Sequence, residues 1–218
     1  MDPSLLSGAL ELHALWVGSA GSDGVRLNLS SVDLRRTPLA YANLVGAKLD
    51  RTDFRYADLS HANFTGADLT DADLRAANLS RADFSAARLN GARLKGADLR
   101  FARLCNAHLP STDLRDTPLE GIDLTGAELS FAHLEQADLS GAKLRAADLS
   151  CADLQGADLR GADLGCAKLL GATLRGVLLD ERSNLRDVKI QPDQLRDVDL
   201  TALRVENRPF LAKRARSA

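Results

Sequence analysis

Aromatic side chains are scarce in this chain, with one Trp, two Tyr and six Phe among 218 residues. That scarcity excludes a core packed around rings, although 45% of the residues are apolar. Cysteine is scarce too: Cys105, Cys151 and Cys166 have neither metal-ligand spacing nor the even count of a disulfide framework, and read as small fillers. Charge of one sign is lacking, since the formal net charge is −2, so there is no global bias toward nucleic acid. No apolar run approaches the ~20 residues of a membrane span, and the opening residues carry neither a basic leader nor a small-residue cleavage site. The expectation is a cytoplasmic protein without membrane association.

What is present is a period of five. From Leu29 to Leu179 there are 31 consecutive central positions five residues apart, of which 28 are Leu and three are Phe (Phe54, Phe64, Phe84). Ala stands two residues earlier in 23 of them, and Asp or Asn often lies between, as in Gly66 to Phe84, GADLTDADLRAANLSRADF. Apolar pairs two apart in a period of five never build a helical stripe, so helix is excluded as the main element. In an extended segment the same pair points to one side, so the local unit is a short strand followed by a turn, with Gly at the last position where a positive φ is wanted. Such a unit buries its face only when successive turns of chain stack, which makes a solenoid.

These residues resemble the pentapeptide-repeat family, across about 70% of the chain. The resemblance implies an all-β solenoid, a right-handed quadrilateral parallel β-helix with four pentapeptides per coil and nearly eight coils. Short α-helical caps are expected at both ends. A rod of roughly 35 to 40 Å follows from the strand spacing.

The expected division is 1–24 as an N-terminal capping helix and loop, 25–180 as the array, 181–206 as a last partial coil and C-terminal capping helix, and 207–218 as a basic tail. Residues 2 to 17 read as a helix capped by Asp2, with Pro3 in its first turn and Leu5, Ala9, Leu12 and Trp16 on one stripe. His13 and Trp16 read as part of a packed cap, with a docking element as the alternative. The least regular stretch is 108–123, where Thr112, Thr117 and Ile122 replace inward Ala and Pro110 and Pro118 remove backbone donors. DLRRTPLAYANL at 33–44 also resembles DLRDTPLEGIDL at 113–124, four coils on, which reads as a tandem duplication or as drift in a monotonous repeat. After Leu179 the register shifts by one. From Pro192 a capping helix is expected, with Leu200 and Leu203 on a different side where a second protomer would make a dimer contact.

Nothing in the sequence assembles chemistry. The four histidines do not converge, no nucleophile stands with a base, and no phosphate loop or calcium loop is present, so no catalytic residue, metal or cofactor is expected. Function is left to the surface. Residues 20 apart align on one face, so Arg35, Arg55, Arg75, Lys95 and Arg115 make a cationic ladder fit to grip an acidic partner, while Asp33, Asp53, Asp73 and Asp113 beside it give the alternative of a self-compensated, solvated face. A second column, Tyr41, His61, Arg81 and Phe101, places bulky groups at a corner. These nine residues are the candidate interaction surface, and the expected function is a non-catalytic scaffold for a protein partner. Residues 1–180 carry 19 Lys/Arg against 24 Asp/Glu, whereas 181–218 carries 9 against 6, so direct nucleic-acid contact is expected only through the basic tail. The resemblance also implies two alternatives: a DNA mimic that binds DNA gyrase or topoisomerase IV and protects against quinolones or natural poisons, and a bacterial effector or regulatory protein.

Overall fold

The computed structural model describes residues 2–196 and 198–203. Its backbone is a stack of parallel coils. Twenty-four single-residue bridges join residue i to i+20, as in Asp33 to Asp53 and Asp53 to Asp73, so four pentapeptides complete each coil. The array contains no continuous strand: two of five residues are spent on a turn, and only the residue before each central Leu is bridged.

The motif is explained by its backbone donors. In one repeat, Ala67 N–H bonds Phe64 O across the turn, Asp68 N–H bonds Ala47 O in the preceding coil, and Leu69 N–H bonds Arg88 O in the next. Asp71 N–H bonds Asn90 O, and the remaining donor, Thr70 N–H, is taken by Asp68 Oδ1 at 3.1 Å. The Asp or Asn of the motif therefore closes the one donor the coils leave open, an Asx-turn repeated along the rod.

Inside, the central Leu/Phe and the preceding Ala are buried almost without exception. The three Phe side chains meet in the interior: Phe64 and Phe84 stack at 4.5 Å, and Phe54 meets Phe64 edge-on at 6.4 Å. Thr52 and Thr112 replace inward Ala and remain buried because their hydroxyls donate to Leu29 O and Leu109 O.

Pairing weakens in the irregular stretch. Among the described residues the bridges Arg93–Asp113, Asp98–Pro118 and Pro118–Asp138 are missing; for Asp98–Pro118 the reason is that Pro118 has no N–H to give the coil before it. Pro38, at the same position in the first coil, has no coil before it, and its bridge to Asp58 survives.

The expected register shift also forms. Bridges beyond it span 21 residues, Asp163 to Asn184 and Lys168 to Lys189. Asp180 absorbs the extra residue: its side chain, in place of its carbonyl, accepts Gly161 N–H at 2.8 Å, and Ser183 Oγ donates to Leu159 O.

The helix α1 spans Pro3–Gly18, and Asp2 Oδ1 accepts Ser4 N–H at 2.8 Å. Its buried face differs from the expected stripe. Leu6 and His13 are buried, while Leu5 and Leu12 are 66% and 47% exposed. The cause is His13, whose Nδ1 accepts Leu27 N–H at 3.1 Å, a donor that later repeats give to the preceding turn, and this contact rotates α1. Trp16 stacks on the His13 ring at 5.6 Å, and Arg26 lies over Trp16. Gly24 is required where the chain returns, because its φ is +77 and a Cβ there would sit 2.3 Å from Leu12 O. The pair is thus packed into the end of the rod.

At the other end the expected α-helix from 192 does not form over its described part. Only a 3-10 turn, Pro192–Leu195, is present. Gln194 donates from Nε2 to Leu169 O and Ala172 O, holding the chain across the last coil, and this cross-course replaces a helical stripe. Leu203 is consequently 2% exposed against its own chain and Leu200 is half-buried, so the pair offers no free dimer contact of the kind expected. The basic tail 207–218 lies outside the described residues.

Two predictions follow from this packing. Phe131 sits at φ 60, is 60% exposed, and has no stacked ring among the described residues. Left-handed backbone costs a non-Gly residue about 1–2 kcal/mol, partly offset by the greater unfolded entropy of Gly. Phe131→Gly is expected to stabilise the rod by up to about 1 kcal/mol in urea unfolding, and a loss of that size would refute the account. Burial, and then nearby Arg26, hold the His13 imidazole below its ordinary value. The cap is therefore at full strength above about pH 6.5 and loosens as pH falls below it, because the freed helix binds the proton more readily. Emission from Trp16, the sole Trp, is expected to shift on acidification in the wild type and not in His13→Gln.

Candidate interaction surface

The interior is filled by side chains, and among the described residues no group of His, Cys, Asp and Glu is arranged to hold a metal ion. The outward residues are the ones before and after each central Leu, together with the corner residue that takes positive φ.

The structure aligns the sequence-derived ladder and neutralises it. Arg35, Arg55, Arg75 and Arg115 each fold back onto the Asp two residues earlier, with closest approaches of 2.6, 2.7, 2.6 and 2.8 Å to Asp33, Asp53, Asp73 and Asp113. The same backbone turn explains the pairing: the Asp accepts the Arg N–H with Oδ1, and the guanidinium follows. Weaker contacts run between coils, Arg35 to Asp53 at 3.6 Å and Arg55 to Asp73 at 3.7 Å. Lys95 departs from the pattern because Arg93 stands where its Asp would be, and its Nζ lies 3.9 Å from Asp116. Hydrogen bonds from Arg35 and Arg55 hold the carboxyls of Asp33 and Asp53 below the usual range, and Arg115 holds Asp113 at about 2.

The second column is the less compensated feature. Tyr41, His61, Arg81 and Phe101 share one corner, all with φ near 60, values of 63, 60, 60 and 59. Tyr41 and His61 stack at 4.6 Å, and the Arg81 guanidinium lies 5.0 Å from the Phe101 ring centroid. Further along, the same corner is Gly121, Gly141 and Gly161. Bulky residues thus bear left-handed backbone in the first half of the rod, at a position glycine fills in the second.

Sequence reasoning missed the facing rim. Arg36 and Tyr56 occupy the neighbouring corner at φ 58 and 60, with the Arg36 guanidinium 5.7 Å from the Tyr56 ring. Tyr56 is 60% exposed and Tyr41 is 73% exposed. The signal was available, since both lie in the last position of the pentapeptide, as the first column does. A surface depression of about 490 Å³ opens beside this rim, lined by Asp33, Arg35, Arg36, Thr37, Arg55 and Tyr56. A second, of about 580 Å³, lies 80 residues on, around Arg115, Asp116, Thr117 and Glu135. Both therefore flank the two Thr-Pro-Leu corners that the sequence repeats.

The Asp–Arg pairs give an acid limb with a definite sign. Each carboxyl titrates lower in the folded chain than in the unfolded one, so its contribution is present above about pH 4 and is lost as pH falls, for Asp113 through about 2. These pairs are exposed and screened by solvent, so each contributes little. In the His13→Gln background, where the cap no longer titrates, urea midpoints are expected to be level from pH 7 to 5 and to fall below 4, with a shallower fall when Asp113→Asn is added.

The family model described as pentapeptide repeats matches eight copies, between residues 28 and 180. Among curated proteins none matches significantly in sequence. Among solved structures, full-length QnrB1, a plasmid-mediated fluoroquinolone resistance protein, is 20% identical at a TM-score of 0.50, covering 87% of this chain and 97% of that one. HetL, a pentapeptide repeat protein involved in heterocyst differentiation regulation from the cyanobacterium Nostoc sp. strain PCC 7120, is 34% identical over 84% of this chain and 93% of its own, at a TM-score of 0.31. A pentapeptide repeat protein from the Arabidopsis thaliana thylakoid lumen is 30% identical over 55% of this chain and 69% of its own, at 0.38. Among the described residues no helix is long and apolar enough to cross a membrane. With bridges every 20 residues, Leu and Ala inside, and the family model matched along the array, the chain belongs to the pentapeptide-repeat family, whose fold is the right-handed quadrilateral β-helix.

Proposed function

We propose that this protein is a non-catalytic scaffold that binds a protein partner through the faces of its β-helix. In this reading residues 25–180 form the rod of nearly eight coils, residues 1–24 close its first end, residues 181–206 close its last, and 207–218 are a basic tail. The observation that carries the reading is the pair of bulky corners. Tyr41, His61, Arg81 and Phe101 on one side, and Arg36 and Tyr56 on the other, hold positive φ where Gly would be relaxed. Exposed rings retained at a conformational cost are what a contact surface requires, and the rod's own packing does not need them.

The DNA-mimic reading draws on the fluoroquinolone resistance role printed for QnrB1. Its electrostatics are less favourable here, because the Arg ladder closes on the Asp residues that would have to imitate phosphates. The scaffold reading therefore stands ahead.

Its test is a partner capture compared between the wild-type rod and Tyr41→Gly/Phe101→Gly. The double variant relaxes two left-handed positions, so its melting temperature is expected to stay within a few degrees of wild type while the captured partner is lost. Retention of the partner by a folded double variant, or supercoiling by DNA gyrase that changes on adding the protein, would overturn the reading.

A further inference from the structure

Between the two bulky corners lies one face of the rod, and its charges are arranged unlike those of the Arg ladder. In the first three coils its outward residues are Pro38 and Ala40, Asp58 and Ser60, and Asn78 and Ser80. The floor is small and nearly uncharged. Asp58, its one carboxylate, accepts with Oδ1 from the hydroxyl of Ser60 at 2.7 Å and from Asn78 Nδ2 at 3.0 Å.

The rims carry the charge. Arg36 and Arg81 are both exposed and, among the described residues, neither forms an ion pair, whereas Arg35, Arg55 and Arg75 on the adjoining face are each closed on an Asp. Arg36 and Arg81 rest instead on Tyr56 and Phe101. A guanidinium on a ring keeps its N–H donors for a second partner, and the ring limits the rotamers that binding would have to freeze.

From this charge arrangement, and resting on the scaffold reading, we infer that the face between Arg36 and Arg81 docks an acidic protein segment whose carboxylates reach across it. The two cations stand on opposite corners and two coils apart. The face is about 10 Å wide and two coils rise about 10 Å, so an extended segment meets both with acidic residues about four apart. Between them the segment lies over Ser60, Asn78 and Ser80; their hydroxyl protons and one Asn78 amide proton are held within the face, and the hydroxyl oxygens and the second amide proton are left for a backbone. A nucleic acid fits less well. Its charge recurs at every phosphate, whereas this face offers cations only at its two rims.

The test uses the full chain and a dye-labelled synthetic peptide, (Glu-Gly-Ser-Gly)4, read by fluorescence anisotropy. Its comparators are the same peptide with Lys for Glu and a single-stranded oligodeoxynucleotide of equal length. Saturable binding of the Glu peptide is expected, weakening as salt rises. Arg36→Glu and Arg81→Glu should each weaken it at least tenfold, and Arg175→Glu, in the second half of the rod, should leave it unchanged. Unchanged melting temperatures in all three variants keep folding out of the comparison. No saturable binding of the Glu peptide, tighter binding of the Lys peptide or of the oligonucleotide, or insensitivity to both rim reversals would overturn the inference. A partner that depends on Tyr41 and Phe101 but not on Arg36 or Arg81 would overturn it while leaving the scaffold reading intact.

Discussion

A chain that turns every five residues must find a partner for every backbone donor with only three extended residues per side. Four of the five N–H groups are satisfied by the geometry of stacking, two within reach of the next coil, one to the coil before and one across the turn. The fifth is reached only by a short side-chain acceptor placed two residues earlier, which Asp and Asn supply, as at Asp68 and Asn63. The rest depends on this closure. It fixes the outward position as acidic or amide, sets Ala and Leu inward by alternation, and gives Arg at the next position a carboxylate to fold upon.

The same constraint divides the labour of the sequence. Inward positions admit little beyond Leu, Phe and Ala, and Thr is fully buried where its hydroxyl reaches a turn carbonyl, as at Thr52 and Thr112. Outward positions next to Asp tend to be consumed by local pairing, which leaves the face of Arg35, Arg55 and Arg75 charged but internally balanced. The corner residue is different. It has no bond to satisfy with its side chain, its left-handed backbone is unstrained only for Gly, and a bulky residue there is one that the architecture does not demand. That is why the corner holds the most specific surface information in the molecule.

Much of the fold was legible because a period of five with Ala and Leu two apart has few solutions. The helix α1 was legible from Asp2 and Pro3, but its orientation was not: one long-range contact, His13 with Leu27, outweighs a stripe drawn from apolar residues alone. The C-terminal end misled for a similar reason, since the spacing of Leu195 and Val198 suits a helix, while Gln194 ties the chain flat across the last coil. Of the surface, the columns were legible by counting in twenties. Counting also set the Asp row beside the Arg ladder, and with it the self-compensated face, but it passed over Arg36 and Tyr56 because only one column of corners was followed.

The proline at 118 gives the rod a grain. In a stack where each coil touches only its neighbours, cooperativity is carried by the bonds between adjacent layers, and here two bridges are missing from the layer before Pro118 and one from the layer after it. Such a stack parts at its thinnest layer. The lengths on either side of Pro118 can therefore fluctuate, bend or be exchanged with some independence, and a partner that spans the corner would act as a splint, joining two shorter stacks into one.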